Sequence, residues 1–263
     1  MLDHLISVLL AIGFLAVIVI TILHGNAVRA ENEKRERQLL LALAHDIRTP
    51  LTVIRGYAEG LYDGVADTEE KKTAYLLRIK QKTIEMDGLL SDLMLYAKAT
   101  SDCLIYDMRD VRISEELLAY VSDVREDMAL RGAEISLSDE IDGDIRIKAD
   151  TEQFKRVLDN LLSNSVKYKK GQTVRVELLL SATDSEVRLT VSDDGKGIRA
   201  EELPHIFDNL YRGSGAEGGI SGSGIGLWLV HRIVTDHGGS IVARSEYGEG
   251  TSFDMIFSRK EDI

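Results

Sequence analysis

Cysteine is nearly missing from this chain of 263 residues. The one present, Cys103, permits no intrachain disulfide, and no Cys/His cluster has the spacing of a zinc site. Positive charge is also in deficit. Lys and Arg number 32 against 44 Asp and Glu, a net charge of −12 that disfavours direct nucleic-acid binding and is read as a solvated surface. Only 2 prolines occur, and one of them, Pro50, falls inside a helical pattern. What is present suffices for a folded core: 44% of the residues are hydrophobic, and the length allows one to two domains.

The one long uncharged run is Leu5 to Leu23, which matches the roughly 20 apolar residues that carry a helix across a bilayer. A cleaved signal peptide is the competing reading, but a basic leading segment and a small-residue cleavage site are both missing. Arg29, Lys34, Arg35 and Arg37 follow the run, whereas Asp3 and His4 precede it, so the positive-inside rule puts the remainder in the cytoplasm, in a single-pass arrangement in contact with membrane lipid. Residues 1–4 form a short tail that leaves no room for an extracellular ligand-binding domain. Either the chain is a natural short form, or its numbering begins inside a longer protein.

A charged connector, 24–38, leads to a helix seam at Leu40, Ala44, Ile47, Leu51, Ile54, Ala58 and Leu61. A second seam runs through Leu76, Ile79, Thr83, Met86, Leu90, Leu93 and Ala97, after a turn at Asp63-Gly64-Val65-Ala66-Asp67. The two make an antiparallel hairpin over 39–100. One hairpin cannot cover both of its apolar faces, so two copies are expected to pack as a four-helix bundle in a homodimer. His45 follows the seam residue Ala44, with Asp46 beside it, Thr49 one turn later and Pro50 after that. Neutral imidazole is a nucleophile near neutral pH, and a neighbouring carboxylate such as Asp46 suits a general base that holds the ring N–H. Pro50 removes a backbone donor and is expected to bend the helix below His45.

From 101 to 263 strand and helix patterns alternate. Strands are expected at Leu104 to Asp107, Glu134 to Leu137, Thr173 to Leu180, Glu186 to Ser192, Ser240 to Ser245 and Thr251 to Phe257. Helices are expected at Ser114 to Arg131, Thr151 to Lys169 and Ile225 to Asp236. Few helices against one mixed or antiparallel sheet make an α/β sandwich. Asn160 and Asn164 share a helix face, with Lys167 and Tyr168 one turn on, and amide oxygens suit Mg²⁺. In Asp193-Asp194-Gly195-Lys196-Gly197 the glycines allow a tight turn, and a buried carboxylate there can accept from the amine of adenine. Residues 198–221 are glycine-rich, as a mobile lid would be. Gly222-x-Gly224-x-Gly226-Leu227 opens a helix whose first amides favour phosphate. The spacing is not that of a dinucleotide fold.

Taken in this order, His45-Asp46-x-Arg48-Thr49-Pro50, Asn160 to Asn164, Asp193 to Gly197, Phe207 to Arg212 and Gly222 to Leu227 resemble the membrane sensor histidine kinases of two-component signalling. The resemblance implies a HisKA-type dimerisation and phosphoacceptor hairpin joined to a GHKL-type ATPase fold, with ATP between helices and a flexible lid. It implies that Asn164 is the main magnesium ligand and Asn160 a second polar contact. It further implies that Lys167 contacts the phosphates, Arg212 belongs to the nucleotide site, Tyr168 walls the base, and Asp193 reads adenine. His45 would take the phosphoryl group from ATP and pass it to an aspartate of a cognate response regulator, and Thr49 would position water for dephosphorylating that regulator. Leu210, where a second phenylalanine is common, and Ser165, where alanine is frequent, depart from the pattern; both changes read as minor. An ATPase of the same nucleotide fold, or a nucleotide-binding membrane scaffold without phosphotransfer, would not need the histidine box on a dimerising hairpin.

Overall fold

The computed structural model describes residues 37, 41, 44, 46–101, 104–141, 143, 145–213 and 224–259. The expected span at 5–23, His45 and Gly222 lie outside these residues, and no described helix is long and apolar enough to cross a membrane.

Helix α1 occupies residues 46–62 and continues through Pro50. It ends at Gly64, whose φ of 72° lies in the left-handed region that closes a helix without a Cβ clash. Ala66, 2% exposed, tucks the turn inward. The return helix α2, Glu69–Thr100, starts where Thr68 accepts from the amide of Lys71 and places Glu69 and Glu70 in its first turn. The two helices meet where the rings of Tyr57 and Tyr75 lie 4.8 Å apart, edge to face. They are close there because Gly60 has no side chain: a Cβ on it would stand 2.8 Å from the Tyr75 ring. Within one chain the seam residues Leu51, Leu76 and Leu90 remain 52%, 57% and 47% exposed, an apolar stripe of the kind a second hairpin would cover.

The C-terminal part runs β1 (Arg109–Arg112), α3 (Ile113–Leu130), β2 (Ala133–Asp139), β3 (Arg146–Ala149), α4 (Thr151–Lys167), β4 (Val174–Ala182) and β5 (Glu186–Asp193). A short 3₁₀ turn at Leu203–His205 follows, then α5 (Gly226–Asp236), β6 (Ser240–Glu246) and β7 (Gly250–Ser258). The main sheet has the order β2-β4-β5-β7-β6, parallel between β2 and β4 and antiparallel elsewhere, so it is the mixed sheet expected. Val174, Val176, Leu178 and Leu180 alternate inward along β4, the period-two signature of a sheet with one face on the core. Over them lies the apolar face of α4, with Phe154, Val157, Leu158, Leu161 and Leu162 all buried, beside Leu229, Val230 and Ile233 of α5. The hydrophobic effect of closing this face is what fixes α4 and α5 relative to each other.

Two expectations are corrected. Leu104 to Asp107 forms no strand, because its polar groups go to side chains: the Asp107 amide donates to Asp150 at 3.0 Å and the Tyr106 hydroxyl donates to Asp236 at 2.9 Å. The strand begins instead at Arg109 and pairs with β3, a four-residue strand not foreseen, whose Ile147 and Ala149 point inward and Lys148 outward.

Candidate functional site

Asp150 caps α4, its carboxylate accepting from the amides of Glu152 and Gln153 at 3.1 Å each. Asp150 also donates its own amide to Nε2 of the buried His237 at 3.0 Å, and His237 Nδ1 lies 2.8 Å from the carbonyl of Ile233. These contacts leave the imidazole neutral, with the proton on Nδ1, and burial pushes its pKa down. The start of α4 is thereby joined to the end of α5.

The far half of α4 carries the predicted nucleotide residues. Asn160 donates to the carbonyl of Arg156 at 3.1 Å, and its Oδ1 occupies the space beside Gly226, where a Cβ would stand 2.6 Å away. Asn164, half-buried, lies one turn further along the same face. Lys167 follows, its ammonium 5.5 Å from the Tyr168 ring centre. Burial lowers the Lys167 pKa; the Asp46 carboxylate opposes that shift, the Arg212 guanidinium adds to it and Glu85 opposes it.

Asp193 ends β5 and is partly buried, and burial raises its pKa against the bonds that favour its anion. Its Oδ1 accepts from the Gly195 amide at 2.8 Å and its Oδ2 accepts from Ser165 Oγ at 3.0 Å. Two carboxylate oxygens have about four acceptor sites, so capacity remains for an amine. The neighbouring Asp194 is occupied otherwise, bound to the amide and Nε of Arg175 at 2.8 and 2.9 Å, which holds its pKa down. Gly195 is required by contact, since a Cβ would come 2.6 Å from Asp193 Oδ1, and Gly197 by conformation, with φ of 68° against the Glu246 carbonyl.

Gly224, Gly226 and Leu227, expected to serve the phosphates, lie at the start of α5. Ile225 stands at the cap of α5, fully buried and with no side-chain acceptor for the first-turn amides. Leu227 packs against the core. In the lid, Leu210 is the one described non-glycine residue at positive φ, 63°, a conformation costing roughly 1–2 kcal/mol. It lies against Gly224, where a Cβ would meet the Leu210 backbone at 2.8 Å.

The residue pattern did not foresee that Ser165 is buried and bound to Asp193, nor that Arg156 and Tyr96 dock this pocket onto α2. Arg156 Nε donates to Asp92 Oδ1 at 3.2 Å, and Arg156 also reaches Ser91. The Tyr96 ring lies 5.0 Å from Trp228 of α5, and the Tyr96 hydroxyl accepts from Asn209 at 2.8 Å. Asp46, on α1, is 1% exposed within the single chain. Thr49 is exposed one turn on.

Two family models match in tandem: the His Kinase A (phospho-acceptor) domain at residues 35–102, and the histidine kinase-, DNA gyrase B-, and HSP90-like ATPase at residues 149–261. The chain belongs to the sensor histidine kinases. Among curated sensor histidine kinases it is 27% identical to YvrG of Bacillus subtilis (strain 168), over 88% of this chain and 40% of the relative, so it spans well under half of that protein. Two solved histidine kinases share its fold. One is ThkA in complex with the response regulator protein TrrA (TM-score 0.60, 19% identity, 88% of this chain and 65% of that one). The other is full-length ShkA in complex with AMPPNP (TM-score 0.59, 23% identity, 86% of this chain and 47% of that one).

Proposed function

We propose that this sensor histidine kinase is an ATP-dependent protein-histidine kinase that phosphorylates His45 and passes the phosphoryl group to an aspartate of a separate response regulator. The observation that carries the reading is the docking of the ATPase-like part onto the acceptor hairpin of the same chain, where Arg156 Nε donates to Asp92 Oδ1 at 3.2 Å and the Tyr96 ring lies 5.0 Å from Trp228. An ATPase or a scaffold without phosphotransfer has no use for that docking.

In the proposed reaction Asp193 reads the adenine amine and Tyr168 walls the base. Gly195 and Gly197 shape the turn beneath it, and Asn160, Lys167 and Arg212 address the phosphates. The segment Gly222, Gly224, Gly226 and Leu227 offers backbone amides. Asp46 holds the proton on one ring nitrogen of His45, so that the other presents its lone pair to the γ-phosphorus. The N–P bond forms as the bond to the bridging oxygen breaks, and ADP leaves with the electron pair. A carboxylate oxygen of the regulator then takes the phosphoryl group. Asn164 supplies an amide oxygen that fits Mg²⁺, which when bound would neutralise triphosphate charge.

The chain is further proposed to work as a homodimer, anchored by a single span at 5–23 in the cytoplasmic membrane with its catalytic part in the cytoplasm, and to dephosphorylate its regulator through Thr49. The test is incubation with γ-labelled ATP and Mg²⁺ followed by addition of candidate regulators. Label stable to base and lost in acid, then chased onto a regulator, is the expected result. Undiminished labelling of His45→Gln would overturn the assignment.

A further inference from the structure

His237 stands where α4, α5 and the segment leading out of the hairpin meet. Its ring is buried and both nitrogens are committed. Nε2 faces the amide of Asp150 at 3.0 Å, and a backbone amide can only donate, so Nε2 must accept. Nδ1 faces the carbonyl of Ile233 at 2.8 Å, and a carbonyl can only accept, so Nδ1 must carry the proton. A second proton on the ring sets one N–H against another at Nε2. An imidazolium therefore forms only if the bond to Asp150 breaks.

That bond bears on more than α4. The Asp150 carboxylate caps α4 through Glu152 and Gln153 and also accepts from the amide of Asp107 at 3.0 Å. Asp107 lies between the end of α2 at Thr100 and the start of β1 at Arg109, in the stretch that joins the hairpin to the C-terminal part. Tyr106, the residue before it, is fastened at the same place. Its ring stands edge-on to His237 with 4.9 Å between centres, and its hydroxyl donates to Asp236 at 2.9 Å. Ile105 is 94% exposed and anchors nothing. The polar attachments of Tyr106 and Asp107 are thus gathered around one imidazole.

The charged and titratable groups facing the ring are Asp150 at the cap of α4, Asp236 in the last turn of α5 and the phenol of Tyr106. Both carboxylates are already bound, Asp236 by Tyr106 and by Arg232 at 2.8 Å, Asp150 by three amides. Their charge favours an imidazolium, but burial outweighs it and holds the ring neutral.

We infer that His237 is a proton-operated latch: the neutral ring fastens the segment between hairpin and C-terminal part to the start of α4 and the end of α5, and protonation releases it. The two helices held in this way carry Asn164 and Lys167 on α4 and Gly226 on α5, so the latch makes the link between the acceptor hairpin and the nucleotide helices sensitive to mild acid. The latch stands whether or not the chain is a kinase.

Amide hydrogen exchange of the full chain at pH 7.5 and 5.5 tests it, read by mass spectrometry on the peptides containing Asp107 and Asp150 and corrected for the intrinsic pH dependence of exchange. A ring that must open before it takes a proton at the ordinary pKa of about 6.5 favours the open form roughly tenfold at pH 5.5. Loss of protection up to about that factor is expected in both peptides, while β4 and β5 keep theirs. His237→Gln retains an acceptor for the Asp150 amide and a donor for the Ile233 carbonyl but takes no proton, so its protection should be the same at both pH values. An equal loss in His237→Gln would assign the release to another group and overturn the latch. In the wild type, unchanged protection at pH 5.5 would overturn it as well, and so would a loss shared by β4 and β5, which marks general softening by acid.

Discussion

Ser165 Oγ lies 3.0 Å from Asp193 Oδ2, and the two residues come from different elements, α4 and β5. The serine is 4% exposed and also contacts the carbonyl of Leu161 at 3.1 Å, so its single proton serves the helix or the carboxylate. This bond and the Gly195 amide oppose the burial that raises the Asp193 pKa.

Ser165→Ala is therefore expected to weaken ATP binding by about 0.5–1.5 kcal/mol, roughly two- to tenfold, through a less well held carboxylate. Because the anion is the form that accepts from adenine, binding is lost as pH falls through the Asp193 pKa. Without the serine that loss should set in at higher pH. Nucleotide titrations across pH check both effects. Unchanged affinity and an unchanged acid limb would remove Ser165 from the site.

Asp193→Asn and Asn164→Ala should separate base from metal. Losing one hydrogen bond to a charged group costs about 1.5–3 kcal/mol, roughly ten- to a hundredfold, so Asp193→Asn should weaken nucleotide binding by that factor with or without magnesium. Asn164→Ala should act only when Mg²⁺ is present. Titration of both variants in EDTA and in Mg²⁺ distinguishes them, and wild-type affinity in Asp193→Asn would place the adenine pocket elsewhere.

Much of this was readable in the residues, and what was not has a common cause. Alternation through Val174 to Leu180 marks β4 because each residue's environment follows from its parity, and α4 is legible because its apolar positions recur on one face. The Leu104 to Asp107 stretch is a short apolar run closed by an aspartate and reads as a strand, but it is tied by side chains to Asp150 and Asp236, residues far along the chain. β3 is so short that its alternation through Ile147 and Ala149 passes for loop. The motif residues could be found because their spacing is local. Ser165 with Asp193, and Arg156 with Asp92, join residues 28 and 64 positions apart, and no local pattern records such pairs.

His237 gives a dependence of stability on pH. Its folded pKa lies below the ordinary value of 6.5, so protons bind the unfolded chain more readily than the folded one. The stability it contributes is present in full above about pH 6.5 and is lost progressively as pH falls below it. His237→Gln, which can still accept from the Asp150 amide, should flatten this slope between pH 5 and 7. Thermal melts of the two proteins across that range are the check, and parallel slopes would exclude His237 as the source.

Gly226→Ala introduces a Cβ 2.6 Å from Asn160 Oδ1, at the start of the helix assigned to phosphate. The expected outcome is a loss of triphosphate affinity with far-ultraviolet circular dichroism retained. Gly226→Ala combined with Asn160→Ser, which withdraws the crowded amide, should recover part of it. If Gly226→Ala alone binds as tightly as wild type, the phosphates do not approach that turn.

Thr49 is exposed on α1, one turn after Asp46 and on a face open to a docked regulator. Thr49→Ala should keep autophosphorylation and transfer while slowing decay of preformed phospho-regulator in the presence of ADP, since alanine keeps the helix but cannot hold a water. Decay at the wild-type rate would exclude the phosphatase role, and loss of autophosphorylation would assign Thr49 to the forward reaction.

The central claim is that ATP held by Asp193 and Asn164 phosphorylates His45. Its most direct measurement is site mapping by mass spectrometry, at neutral to basic pH, of the full chain after incubation with ATP and Mg²⁺. The account predicts one phosphoryl group on the peptide containing His45, strongly reduced in Asp193→Asn at ATP concentrations that do not saturate the wild type, and lost on brief acid treatment. A phosphoryl group on another residue, or one on His45 that persists undiminished in Asp193→Asn, would contradict it.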